Sequence, residues 1–146
     1  VKAKEYLMQL GLLEARINNM KAELDVLRHI LQDMQGIDYT APKVQVSPAG
    51  DVTGKNIARC LHLEQEIEDR TRKFIVLKHC ITGQINSLDN AVFVKLLFMR
   101  YVEYRKLLEI AGILDYTYQH TRRLHGYALQ DFAAHNREVL ELAGEK

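Results

Sequence analysis

Leu10, Ile17, Leu24 and Leu31 recur every seventh residue, and Leu13, Met20, Leu27 and Met34 repeat that spacing three residues later. Two interleaved registers held over four heptads form the a/d seam of a coiled-coil helix. The spacing predicts one helix over 3–35, with Gly36 as its C-terminal stop. Glu14, Arg16, Lys21, Glu23, Asp25, Arg28 and Asp33 lie between the seam positions, as on a solvated face. A second run places Cys60, Ile67, Phe74, Ile81 and Leu88 seven apart, with Leu63 and Leu77 alongside. Arg70 and Gln84 interrupt its second register, so the helix expected over 55–87 carries a less regular seam. Residues 37–54 hold both prolines of the chain and read as a linker, longer than the roughly 2–8 residues usual between bundle helices. Two helices of matched length joined in this way predict a long antiparallel helical hairpin, coiled-coil-like, over residues 1–88. A two-helix hairpin buries little alone, so it is expected to pair with a second copy or to pack on the C-terminal segment.

Past Asn90 the texture changes. Eight of the eleven Tyr and Phe residues fall after it: Phe93, Phe98, Tyr101, Tyr104, Tyr116, Tyr118, Tyr127 and Phe132. Aromatics bury much area per residue and suit a compact head of short helices. Tyr101, Tyr104, Tyr116 and Tyr127 are expected in its core. With 8 Gly and 2 Pro in 146 residues, the chain has few breakers, and the fold class is all-α. The head is expected over 89–146, opening at Ser87-Leu88-Asp89-Asn90 with its capping side chains.

The head reads as three helices over about 90–102, 105–113 and 117–135, with Leu114, Asp115 and Tyr116 between the last two. A short helix, a tight turn and a longer helix make a helix-turn-helix, whose second helix meets base edges in the major groove. Ala111 permits close helix approach, and Thr117 caps the last helix. The first exposed turns then carry Tyr118, Gln119, His120, Arg122 and Arg123. Gln pairs bidentately with adenine, and Arg with guanine or phosphate. Net charge is only +1, which excludes a bulk polyanion-binding tail. It is unevenly spread, however. Lys95, Arg100, Arg105, Lys106, Arg122 and Arg123 face only Glu103, Glu109 and Asp115 within 95–127, while 1–90 has twelve groups of each sign. The candidate DNA-contacting set is Thr117, Tyr118, Gln119, His120, Arg122 and Arg123, with Arg105 and Lys106 as phosphate contacts.

The stretches Leu96-Leu97-Phe98-Met99-Arg100-Tyr101-Val102-Glu103, Leu108-Glu109-Ile110-Ala111-Gly112-Ile113-Leu114 and Thr117 to Phe132 resemble region four of bacterial sigma factors. With the N-terminal helical pair containing Arg16-Ile17-Asn18-Asn19, the layout is similar to small phage and prophage proteins related to the ArpU and RinA late-gene transcription regulators. The most specific part is Glu109-Ile110-Ala111 followed by Arg122-Arg123-Leu124-His125-Gly126-Tyr127-Ala128-Leu129. The resemblance implies a three-helix, sigma region-four-like head. It puts base reading on Tyr118, Gln119 and Arg123, with Arg122 near the DNA backbone. It also implies duplex DNA as ligand, host RNA polymerase as a further partner, and the bacterial cytoplasm as location. Asp115 stands where the family usually has Gly, and Thr121 where Val or Ile is usual.

Two other uses of the same parts remain. A small terminase subunit also joins a helix-turn-helix to an oligomerising segment, as a closed ring. A protein-interaction module would dock the head on polymerase or another regulator without DNA. An enzyme is not expected: there is no phosphate-cradling Gly-rich loop and no nucleophile or metalloprotease motif. Neither cofactor nor metal is expected. His62 and Glu66 are four apart, but no third ligand joins them at a recognised spacing. Cys60 and Cys80 on one helix would lie about 30 Å apart at ~1.5 Å per residue, too far for a disulfide. No apolar run reaches the ~18–20 residues needed to cross a bilayer, and Val1 to Gly11 lacks a secretory-leader layout. The expected assembly is a homodimer through the N-terminal helices.

Overall fold

The computed structural model describes residues 1–35 and 49–145. Among them every regular element is helical: α1 (Ala3–Gln35), α2 (Ala49–Asn86), α3 (Ala91–Leu97), α4 (Leu107–Leu114), α5 (Tyr118–His135) and α6 (Arg137–Gly144). A π-helical turn, Phe98–Val102, continues α3. Most of the linker expected over 37–54 lies outside the described residues. Its last part does not: α2 already begins at Ala49, six residues before the expected start. No helix among the described residues is long and apolar enough to cross a membrane.

The chain divides into two compact units, Val1–Glu14 with Phe74–Lys146, and Ala15–Lys73. In the second unit the heptad seam of α1 is spent on α2. Leu24, Cys60 and Leu63 are buried together, with Met20, Leu27, Leu31 and Ile67 packed against them. Two ion pairs, Arg28 with Glu64 and Glu23 with Arg59, flank this seam. Thr53 Oγ1 lies 4.0 Å from Met34 Sδ, so the end of α1 meets the beginning of α2.

The first unit recruits both remote ends of the long helices. Tyr6, Leu7 and Leu10 of α1 and Ile81 and Ile85 of α2 share one core with Leu96, Leu97, Ile110, Ala128 and Phe132. The Tyr6 and Phe132 rings are 6.2 Å apart, and Tyr6 donates its hydroxyl hydrogen bond to Gln84 Oε1 at 3.0 Å. Leu88 is buried in this same core, so the stretch where the sequence changes texture lies within the unit.

Local chemistry explains the helix starts. Asn90 Oδ1 accepts from the Val92 and Phe93 N–H groups at 2.9 and 3.3 Å, satisfying two donors that the first turn of α3 leaves free. The helix expected over 90–102 widens at its end, where Glu103 N–H bonds the Phe98 carbonyl at 3.1 Å. It then breaks at Tyr104, whose φ of 59° is left-handed. Arg105 N–H bonds the Met99 carbonyl at 2.9 Å, which closes the helix end locally. The Tyr104 ring lies over Gly11 of α1, where an added Cβ would stand 3.2 Å from the ring. Burial and a hydrogen bond to Glu14 raise the Tyr104 pKa.

Of the four tyrosines expected in the core, only Tyr101 is there, at 5% exposure. Tyr104, Tyr116 and Tyr127 are 44%, 39% and 56% exposed. The phenol hydroxyl leaves a tyrosine equally suited to an interface with water. Period alone does not separate the two settings.

Candidate nucleic-acid interface

Ile110 and Ala111 of α4 are buried, as are Thr121, Ala128 and Phe132 of α5. Thus α4 and α5 each turn one face to the same core. Between them run Asp115, Tyr116 and Thr117. Asp115 ends α4 in the left-handed conformation, φ 59° and ψ 41°. Tyr116 N–H then bonds the Ala111 carbonyl at 2.9 Å and Asp115 N–H the Gly112 carbonyl at 3.4 Å. These two bonds are those of the Schellman stop, which satisfies carbonyls the helix would leave unpaired. Asp visits this conformation more readily than most residues, though at a cost that Gly avoids. Asp115→Gly is expected to stabilise the fold by about 0.5–1 kcal/mol. A urea midpoint shifted downward would contradict the left-handed assignment.

Thr117 is extended, and its Oγ1 accepts from His120 N–H at 3.2 Å, capping α5. Thr121 is fully buried, and its hydroxyl donates to the Thr117 carbonyl at 2.9 Å. A polar group therefore occupies this core position with its hydrogen bond satisfied inside the helix. Tyr118, Gln119, Arg122 and Arg123 are exposed along the first turns of α5. Gln119, Arg122 and Arg123 line one shallow depression. The Arg122 guanidinium lies 5.8 Å from the centre of the Tyr118 ring, a cation–π contact that steers the side chain. Neither Arg122 nor Arg123 has an ion pair among the described residues, so both positive charges face solvent uncompensated.

The other candidates sit differently. His120 is half-buried, with its ring edge-on to Tyr116 at 5.1 Å between centroids. Arg105 is held between Glu103 at 2.9 Å and Glu109 at 2.7 Å. Those two carboxylates raise its pKa and cancel its charge locally. Lys106 is exposed at the N-cap of α4. Arg105 and Lys106 therefore stand at the far end of α4 from the turn, about 12 Å of helix away at ~1.5 Å per residue. The structure thus gathers Gln119, Arg122 and Arg123, uses Thr117 as the cap beneath them, and leaves Arg105 and Lys106 apart.

From the sequence, His125 flanks this face beside His120 as a surface polar side chain or phosphate contact; the structure turns it inward instead. His125 is half-buried, and its Nε2 is hydrogen-bonded to the Tyr101 hydroxyl at 2.8 Å with the rings stacked 5.8 Å apart. Burial, with Arg100 and Lys4 nearby, pushes the His125 pKa down to about 4. Burial pushes Tyr101 up to about 12, against a smaller opposing effect of Arg100. No period in the sequence pairs residues 101 and 125; only the packing of α5 on the π-helical turn does.

The pH dependence follows from these directions. With His125 depressed in the folded state, the unfolded chain takes up the proton first. Stability is fully present above about 6.5 and falls as pH drops toward 4. With Tyr101 raised, stability falls as pH climbs from about 10 to 12. The acid limb amounts to about 1–2 kcal/mol after allowance for solvent screening. Urea midpoints across pH should show a plateau between these limits. The difference between wild type and His125→Gln isolates the histidine, and a wild-type profile no steeper in acid than the variant's would contradict the buried neutral ring.

His62 Nε2 lies 3.7 Å from Glu66 Oε2, and no group of three or more metal-ligating side chains gathers among the described residues. Comparison with known proteins finds no matching family model, no similar curated protein and no similar solved structure.

Proposed function

We propose that this chain is a phage or prophage transcription regulator that reads duplex DNA with α5. In this reading a helical-hairpin arm joins two copies, and α4, the turn and α5 form a sigma region-four-like helix-turn-helix head. One observation carries the reading: Gln119, Arg122 and Arg123 converge, exposed and free of ion pairs, on the opening turns of a helix capped by Thr117. Inserted in the major groove, that end of α5 offers an amide for adenine and guanidinium groups for guanine or phosphate. Tyr118 braces Arg122. Lys106 adds a phosphate contact, and Arg105 contributes less because Glu103 and Glu109 already hold it. Host RNA polymerase is the further partner, and the bacterial cytoplasm the setting.

The interaction-module reading has support of its own. Leu108 and Ile113 of α4 are 68% and 52% exposed, and Asp115 places a negative charge at the turn. A polar DNA interface makes no use of two such side chains, whereas a protein partner does.

The test is fluorescence anisotropy with duplex fragments from the neighbourhood of the protein's own gene, over a salt series. Binding to one fragment that weakens steeply with salt is the result expected of a DNA reader, because each neutralised phosphate releases counterions. No binding at low salt would transfer the head to a protein partner. A solution mass of many subunits in a closed ring would favour packaging over transcription.

A further inference from the structure

We infer that α1 carries a second, self-complementary seam on which two copies of this chain pair antiparallel about a two-fold axis at Asn19. The inference refines the dimer within the proposed function by naming its surface, and it does not require that DNA be the ligand. The heptad seam read from the sequence is already occupied: Leu24 lies buried against Cys60 and Leu63 of the same chain. A second copy must therefore use another face. About 130° further round the helix, at ~100° per residue, lies a different stripe. Met8, Leu12, Val26 and Ile30 are 54%, 53%, 59% and 43% exposed there. Ala15, Asn19 and Ala22, also exposed, complete the stripe between them.

These seven residues fall in a strip about 80° wide, and no charged residue interrupts it between its ends. Met8, Ala15 and Ala22 are seven apart, as are Leu12, Asn19 and Val26. This is again the spacing of a two-helix seam. Small residues near its centre let two helices approach closely.

The order along the stripe is what selects the partner. From Met8 to Ile30 it runs large, large, small, Asn, small, large, large. Reversed about Asn19, the pattern maps onto itself to within one residue, with Met8 opposite Ile30, Leu12 opposite Val26, and Ala15 and Ala22 offset by one position, about 1.5 Å along the axis. An isologous contact requires this property of a surface. The two Asn19 side chains then meet at the axis, where a paired polar residue sets register. The flanks agree in charge. The same reversal brings Lys4 near Asp33 and Arg16 near Glu23, each pair opposite in sign. Lys4, Arg16 and Asp33 are exposed and hold no ion pair among the described residues, while Glu23 already engages Arg59. A parallel pairing would instead set Lys4 against Lys4 and Asp33 against Asp33.

Light scattering on the full chain over a concentration series tests the surface without any DNA present, so failure of the DNA reading leaves this outcome untouched. Wild type should have the mass of a dimer. Val26→Glu and Ala22→Glu should each have the mass of a monomer with unchanged helical circular dichroism, since both positions are exposed in the single chain. A monomeric wild type at every concentration overturns the inference, as does a dimer that survives both substitutions. Disulfide trapping in a Cys80→Ser background tests the direction. Oxidising a mixture of Leu12→Cys and Val26→Cys chains should give the mixed dimer. A Leu12→Cys chain that links to itself instead overturns the antiparallel arrangement.

Discussion

Phe132→Ala is expected to destabilise the protein by about 3–5 kcal/mol. Phe132 has no solvent exposure and sits where α5 meets α1, its ring 6.2 Å from that of Tyr6. Truncation removes the transfer free energy of a whole aromatic ring and leaves a cavity in the core that Phe132 shares with residues of α1, α2, α3 and α4. Residues held on several helices cannot all move inward together. Folded domains are stable by only about 5–15 kcal/mol, so the variant should be near the limit of folding at moderate temperature. Tyr127→Ala is the internal comparison. It lies on the same helix, is also aromatic, and is 56% exposed. Its cost should stay within about 0.5 kcal/mol, as for surface substitutions generally. Urea unfolding followed by circular dichroism reads both. Equal costs at the two positions would refute this placement of the core.

Arg122→Ala combined with Arg123→Ala is expected to abolish specific duplex binding while leaving the fold intact. Both side chains are exposed and free of ion pairs, so their removal takes no buried partner with it. Together they account for two of the uncompensated charges on the presented end of α5. A base-edge contact is worth about 1–3 kcal/mol, and losing a phosphate contact lowers the salt slope by about 1. The double variant should therefore bind at least about a hundredfold more weakly at low salt, with a shallower dependence on salt. Arg105→Ala gives the contrast. Its guanidinium is already held by Glu103 and Glu109, so its loss should change affinity by less than about fivefold. If Arg105→Ala weakens binding as much as the double variant does, the reading face is not on α5.

The sequence shows some of these features and hides others, for a definite reason. The extent of α1, the cap at Asn90, the cap at Thr117 and the stop at Asp115 are all legible, because each depends on residues within one or two helical turns. The seam of α1 is legible as a seam. Its partner is not, since the same heptads would serve a second copy as well as they serve α2. The burial of Tyr6, Leu7 and Leu10 against Phe132 joins residues more than a hundred positions apart, and no periodicity spans that distance. The same holds for the seat of the Tyr104 ring over Gly11 of α1.

The candidate face divides in the same way. That Gln119, Arg122 and Arg123 share one side of a helix follows from a 3.6-residue repeat. That Arg105 is neutralised is also local, since Glu103 and Glu109 lie within four residues of it; that His125 turns inward to Tyr101 while Tyr116 and Tyr127 stay outside follows from which helices touch. Helix formation and capping are local free energies, written in neighbouring residues. Burial is pairwise, and a residue acquires it only when the chain brings its partner to it.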